Sequence, residues 1–155
     1  MAKEKFKAIE IKNRKATHEY TFINTFEAGI VLTGTEVKSI RAGYANLNDA
    51  FCHFIDGELF IRNLHISEYS LGTYYNHEAK RVRKLLLKKE ELNKLIRKTA
   101  EKGFTIVPYR IYTTDRGFIK LEIALAQGKK SFDKRETLKE RDSKRDLDRI
   151  KKAYK

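Results

Sequence analysis

The sequence is poor in the residues that lock or specialise a fold. Among 155 residues it has one cysteine, Cys52, one proline, Pro108, one methionine and no tryptophan. A lone cysteine excludes an intrachain disulfide and a cysteine-based zinc site within one chain, which fits a reducing, cytosolic setting. No apolar run approaches the roughly 18 residues of a membrane span. The opening "MAKEKFKAIEIKNRKATHEY" holds no apolar stretch of signal-peptide length, so a soluble, unsecreted protein is expected. Also missing are a phosphate loop ending in Gly-Lys-Ser/Thr, a nucleophile elbow and a His-Glu-x-x-His zinc helix. His18, His53, His65 and His77 are scattered without close ligand spacing. His53 and His65, in or beside expected strands, read as hydrogen-bonded structural groups. No enzymatic activity, no cofactor and no metal are expected, and no internal repeat is visible.

Acidic residues are in deficit. Against 34 Lys and Arg stand 21 Asp and Glu, a net charge of +13. The length fits one domain with an appendage, long enough for a single core. Residues 1–127 carry 22 basic and 15 acidic side chains, and the closing 28 residues, "GKKSFDKRETLKERDSKRDLDRIKKAYK", carry 12 and 6. Solubility alone would accept charge of either sign, so two basic segments favour a polyanion partner, with nucleic acid first. An anionic membrane surface is disfavoured because no basic amphipathic anchor has a bulky apolar face.

The pattern of apolar residues predicts a mainly β body. Residues 1–19 read as a flexible basic arm. In "YTFINTFEAGIVLTGTEV" strands are expected over about 20–26 and 29–33, with a bend or bulge at Gly29. Thr35 is placed to cap a short helix carrying Val37 and Ile40. "AFCHFIDGELFIRNLHI" reads as a hairpin about Asp56-Gly57, a pair suited to a tight turn with positive φ. Leu92, Leu95, Ile96 and Ala100 share one face of a helix that Gly103 ends. "FTIVPYRIY" and "FIKLEIALA" form a second hairpin, in which Pro108 demands an edge or a bulge. About six short strands and two flanking helices without a βαβ rhythm predict a small antiparallel six-stranded barrel over 20–127. The basic tail, 128–155, has too few apolar residues for a core, with only Leu147, Ile150 and Tyr154 on one helical face, so it is expected to be disordered alone and helical on a partner.

Three basic clusters stand out: Lys12, Arg14 and Lys15; Lys80, Arg81, Arg83 and Lys84; and Lys129, Lys130, Lys134 and Arg135. Cations spread over a footprint suit phosphate neutralisation, and Tyr20, Tyr74, Tyr75 and Phe132 offer faces for base stacking. A charge run is more often a solvated face, but three runs on one small basic domain favour binding. Glu27, beside a glycine, reads either as a turn-stabilising carboxylate or as an acceptor for a nucleobase or sugar edge, and side-chain chemistry alone favours the turn.

"NRKATHEY", "FEAGIVLTGTEVKSIRAGYANLNDA", "RVRKLLLKKEEL", "GFTIVPYRIY", "EIALAQGKK" and "SFDKRETLKERD", in this order from Asn13 to Asp142, closely resemble the SmpB family, the tmRNA-binding proteins of bacterial trans-translation. The resemblance implies an oligonucleotide-binding-like barrel that holds the tRNA-like domain of tmRNA. It also implies delivery to stalled ribosomes, with the tail sensing the empty mRNA channel. The expected partners are tmRNA and the ribosome, including small-subunit rRNA, with the protein a monomer away from membranes.

By motif, Glu27, Leu86 and Lys88 match positions tied to tmRNA binding, and Asn13, His18 and Tyr20 lie in the matching N-terminal motif, which tips Glu27 toward RNA. Arg14, Lys15, Arg83, Lys84, Lys129 and Lys130 complete the expected RNA-binding set. Phe132, Asp133, Lys134 and Arg135 match the tail motif expected at the decoding centre, with Leu147, Ile150 and Tyr154 further along the channel. Three positions depart from the family pattern: Ala79 where Pro is usual, Lys88 where His or Asn is common, and Phe132 where His or Tyr is common. Lys88 substitutes a point charge for a directional contact and so suits phosphate. Phe132 keeps a stacking face but loses its polar tip.

Overall fold

The structure is a computed structural model that describes residues 8–72 and 76–129. Tyr74, Tyr75 and the expected tail residues from Lys130 onward lie outside the described residues. Among the described residues nine strands and three helices follow in the order β1 (Glu10–Lys12), α1 (Arg14–Glu19), β2 (Tyr20–Ile30), α2 (Gly34–Arg41), β3 (Ala45–Asn46), β4 (Phe51–Ile55), β5 (Glu58–Arg62), β6 (His65–Ile66), β7 (Arg83–Leu86), α3 (Lys89–Thr99), β8 (Phe104–Thr113) and β9 (Ile119–Gly128).

Seven strands form one antiparallel sheet, β1-β8-β9-β2-β7-β5-β4, and β3 pairs with β6 separately. The expected six-stranded barrel is therefore corrected to an open sheet. Its edge strand β4 packs against β8 with no ladder pairing between them. The hairpins are where the sequence places them. Asp56 and Gly57 have φ of +50° and +77° between β4 and β5, as a primed turn requires. Gly103 has φ +91° and lies just past α3.

Other expectations change. The two strands expected over 20–33 are one strand, and its irregularity lies at Ile23, where Phe22 pairs with Ala126 and Asn24 with Leu125; Gly29 pairs regularly. The α2 N-cap is Thr33, whose amide donates to Glu36 Oε1 at 2.9 Å, while the Thr35 hydroxyl meets His77 Nδ1 at 2.9 Å. The described part of the arm expected to be flexible is ordered, because β1 pairs with β8 and Asn13 caps α1.

One face of the sheet buries Leu121, Ile123 and Leu125 of β9 with Leu59, Ile61, Leu85 and Ile111, closed by Ile40 of α2 and Leu95 of α3. Each buried Leu or Ile contributes about 1.5–3 kcal/mol of transfer free energy, which is why alternation in β9 decides which face is inward. The opposite face is polar and largely open except where Ala16 of α1 covers Val107 and Ala126.

Two bulges control that outer face. The first, at Ile23, puts Tyr20 and Phe22 on the same side as Thr25 and Glu27, although strict alternation would part them. The second follows Pro108: Pro108 pairs with Ile123 and Arg110 with Glu122, leaving Tyr109 extra. This is the bulge that the missing proline N–H calls for.

Candidate nucleic-acid interface

The outer face carries an ordered charge pattern. Across it run Lys12, Arg110, Glu122 and Glu27 in one row, and Glu10, Tyr112, Lys120, Gly29 and Leu86 in the next. Arg110 Nε donates to Glu122 Oε2 at 2.7 Å, its guanidinium lies 4.3 Å from the Tyr112 ring centre, and Glu10 stands 3.7 Å from Nη1. The Tyr112 hydroxyl donates to Glu27 Oε2 at 2.5 Å. Burial, then this bond, push the Tyr112 hydroxyl up to about 12, so it remains a donor at neutral pH. Glu27 is exposed and lies within β2, not at a turn, which removes the turn-stabilising reading. Tyr112 fixes one carboxylate oxygen, and Oε1 stays available to an outside donor.

Gly29 brings the next parts together. It pairs with Leu86 on one side and Lys120 on the other, and a Cβ at Gly29 would lie 3.3 Å from Leu86 Cβ. Leu86 is about half exposed, at 51%, an apolar side chain beside two charged ones. Lys88, exposed, is the N-cap of α3 and makes no side-chain capping bond. Lys120 belongs to this cluster although the sequence reading passed over it; its only signal there was a polar position in the alternation of β9. Lys84 is engaged by Glu58 at 3.0 Å.

A second group gathers at the far end of β2. Arg14 and Lys15 are exposed on α1, and the Lys129 ammonium donates to Thr17 O at 3.1 Å while its amide donates to Glu19 O. His18 is half-buried, with Nδ1 shielded and without a hydrogen-bond partner. Tyr20 and Glu27 share a face about 20 Å apart along the strand, at about 3.3 Å per residue. The two groups thus flank one surface rather than meeting at a point.

Several expected contacts are placed elsewhere. Arg83 is fully buried: its Nε donates to Glu36 Oε2 and its Nη1 to Leu64 O at 2.7 Å, so it is a structural cation and not a phosphate contact. Arg81 donates to the same carboxylate at 2.6 Å. The cluster before α3 therefore presents Lys80 and Lys84 outward and turns Arg83 inward. Asn13 is also buried; its Oδ1 accepts from Ala16 N, its Nδ2 donates to Pro108 O at 3.0 Å and its amide donates to Tyr109 O. It holds α1 to β8, so its side chain is not at the surface for a partner.

Of the two histidines expected to be hydrogen-bonded, His53 is not: its imidazole makes no hydrogen bond and packs between the Phe51 and Phe60 rings, at 6.1 and 6.2 Å, where burial and then Arg62 lower its basicity. His77, by contrast, is fully bonded, with Nε2 2.8 Å from Ile66 O. Among the described residues no group of three or more His, Cys, Asp or Glu is arranged to hold a metal ion. Nor is any helix there long and apolar enough to cross a membrane.

An open antiparallel sheet, with α2 and α3 on its apolar side and a charged, partly aromatic outer face that α1 partly covers, defines a class of small β-sheet protein. Within it the match is specific. The family model described as "SmpB protein" matches residues 10–153. The SsrA-binding protein of Phocaeicola vulgatus is 56% identical over 142 residues, 92% of this chain and 95% of that one. The SsrA-binding protein of Desulforamulus reducens is 55% identical over 137 residues, 88% and 85% of the two chains. A chain in a solved structure described as "tmRNA-SmpB: a journey to the center of the bacterial ribosome" is 48% identical, with a TM-score of 0.66 over 79% of this chain and 85% of that one. The chain belongs to the SmpB family.

Proposed function

We propose that this chain is a cytoplasmic, non-catalytic RNA-binding adaptor that binds the tRNA-like domain of tmRNA and delivers it to stalled ribosomes for trans-translation. The observation that carries this reading is the outer face of the sheet, where Glu27, Leu86, Lys88 and Lys120 meet around Gly29 in a chain that the family model spans from residue 10 to residue 153. Glu27 accepts from a base or ribose donor, Leu86 packs against a sugar or base face, and Lys88 and Lys120 neutralise phosphate. Arg14, Lys15, His18, Tyr20, Lys129 and Lys130 extend the same footprint past α1.

Residues 20–127 act as the body, and the basic tail from 128 to 155 reads the empty mRNA channel. In that tail Phe132 stacks at the decoding centre, Asp133, Lys134 and Arg135 bond around it, and Leu147, Ile150 and Tyr154 supply the apolar side of a helix formed on small-subunit rRNA. The test has two arms. Sequencing RNA that co-purifies with the protein should return one dominant tmRNA, whereas bulk rRNA or a mixture would return the protein to a structural ribosomal or general RNA-chaperone role. Truncation after Lys129, which keeps the Lys129–Glu19 backbone bond, should leave tmRNA affinity nearly intact and abolish peptide tagging on stalled ribosomes. Normal tagging by that truncated chain would overturn the division of labour.

A further inference from the structure

The open seam of the sheet leaves a cavity whose interior has no role in the footprint above, although Lys15 and Tyr20 of that footprint line it. Strand β1 covers only residues 110–112 of β8, so the Phe104–Val107 stretch has a ladder partner on one side alone. Strand β4 approaches it without pairing, and α1 crosses the gap. The result is a cavity of about 250 Å³ whose lining includes Lys15, Glu19, Tyr20, Asn48, Phe51 and Thr105. That is below the roughly 300 Å³ at which pockets for drug-sized ligands begin, and suits one planar heterocycle.

We propose that this seam pocket binds a single unpaired guanine of the bound RNA, with Phe51 and Tyr20 as its stacking walls and Glu19 reading its donor edge. The inference rests on the RNA-binding reading above. Phe51 is 45% exposed, and Tyr20 is half-buried on the same rim. Two aromatic faces at one cleft are what an extruded base, and not a duplex, requires.

The charges select the occupant further. In a protein with a net charge of +13, this cavity is lined by two acidic residues, Glu19 and Asp49, and one basic one, Lys15, whose exposed ammonium sits loosely 3.8 Å from the exposed Asp49 carboxylate. Such a lining repels a phosphate from the interior and favours a neutral ring rich in donors. Glu19 has no ion-pair partner among the described residues, so its carboxylate is free to accept two parallel bonds, and guanine alone of the four bases offers adjacent imino and amino donors on its pairing edge. The Asn48 side-chain amide, able to donate and accept, suits the remaining edge atoms. Lys15, at the rim, is left for the phosphate that follows.

Fluorescence anisotropy of the full chain with U-rich seven-nucleotide RNAs, differing only in a central G, A, C, U or abasic position, tests this. The G probe should bind tightest, and Phe51→Ala should lower its affinity about tenfold, within the range for one lost base stack, with no change for the abasic probe. Glu19→Gln should equalise G and A while keeping both above abasic, a pattern that a folding defect would not give. Equal binding of all five probes, or an unchanged preference for G in Phe51→Ala, overturns the pocket. If those variants are silent while the unmodified chain holds tmRNA, the adaptor reading stands without the pocket. Failure of the unmodified chain to hold tmRNA overturns both.

Discussion

The carboxylate of Glu36, on α2, holds the guanidiniums of Arg81 and Arg83 together, and both Glu36 and Arg83 are fully buried. This joint ties the helix to β7 across the strand order. Breaking a buried pair from one side leaves an uncompensated charge and costs about 3–5 kcal/mol. Glu36→Gln should therefore lower the denaturation midpoint sharply, whereas the double change Glu36→Gln with Arg83→Met should recover much of the loss. A double variant as unstable as the single one would show that the pair's value lies in its shape and not in its charge balance.

The same residue sets a pH response. Burial alone would raise the Glu36 carboxyl, but the Arg81 guanidinium, the Thr33 amide and Arg83 outweigh it and hold it below its ordinary value of 4.5. A depressed carboxyl contributes stability that is complete above the unfolded value and is lost as pH falls through the folded one. The stability gap between the unmodified chain and Glu36→Gln should be constant from pH 7 to about 5 and close progressively below 4.5. Denaturation midpoints taken across that range measure it. A gap that persists unchanged at pH 3 would mean that the Glu36 carboxyl titrates alike in the folded and unfolded chains.

Glu27 and Tyr112 form a second testable pair, this one exposed. Tyr112→Phe keeps the ring under Arg110 and removes only the hydroxyl bonded to Glu27. It should weaken tmRNA binding several-fold by freeing the Glu27 rotamer, since an exposed hydrogen bond is worth about 1 kcal/mol. Glu27→Ala should weaken it further, and adding Tyr112→Phe to Glu27→Ala should cost nothing more. Additive losses in this cycle would show that Tyr112 contacts RNA by itself.

The sequence carried the local features of this fold and hid its long-range ones. Asp56-Gly57 and Gly103 declare their turns, because positive φ is written in residue type. Pro108 announces a bulge for a similar reason, since a missing donor is visible anywhere. The bulge at Ile23 has no such mark, yet it puts Tyr20 and Glu27 on one face. Arg83 read as a surface cation because its partner lies 47 positions earlier. The six-residue α1 escaped because so short a helix is not stable on propensity alone; it exists through Asn13 and the carbonyls of Pro108 and Tyr109. The barrel failed to close because β1 and β4 are too short to meet β8 along its whole length, and strand length cannot be read to that accuracy from alternation.

Lys88 ties function to a local cost. It occupies the N-cap of α3 without a capping bond, placing a cation at the positive end of the helix dipole, with Glu90 and Glu91 in the first turn as partial compensation. Asn at that position caps well, so Lys88→Asn should stabilise the protein by up to about 1 kcal/mol. On the proposed reading Lys88 neutralises one phosphate, so the same change should flatten the salt dependence of tmRNA affinity by about one in log–log slope. Leu86→Ala, next to it, should lower affinity at every salt concentration without altering the slope, because an apolar contact releases no counterion. Thermal denaturation together with binding titrations from 50 to roughly 200 mM salt separates the two effects. A Lys88→Asn protein that is more stable but has an unchanged slope would place Lys88 outside the RNA footprint and leave the phosphate there to Lys120.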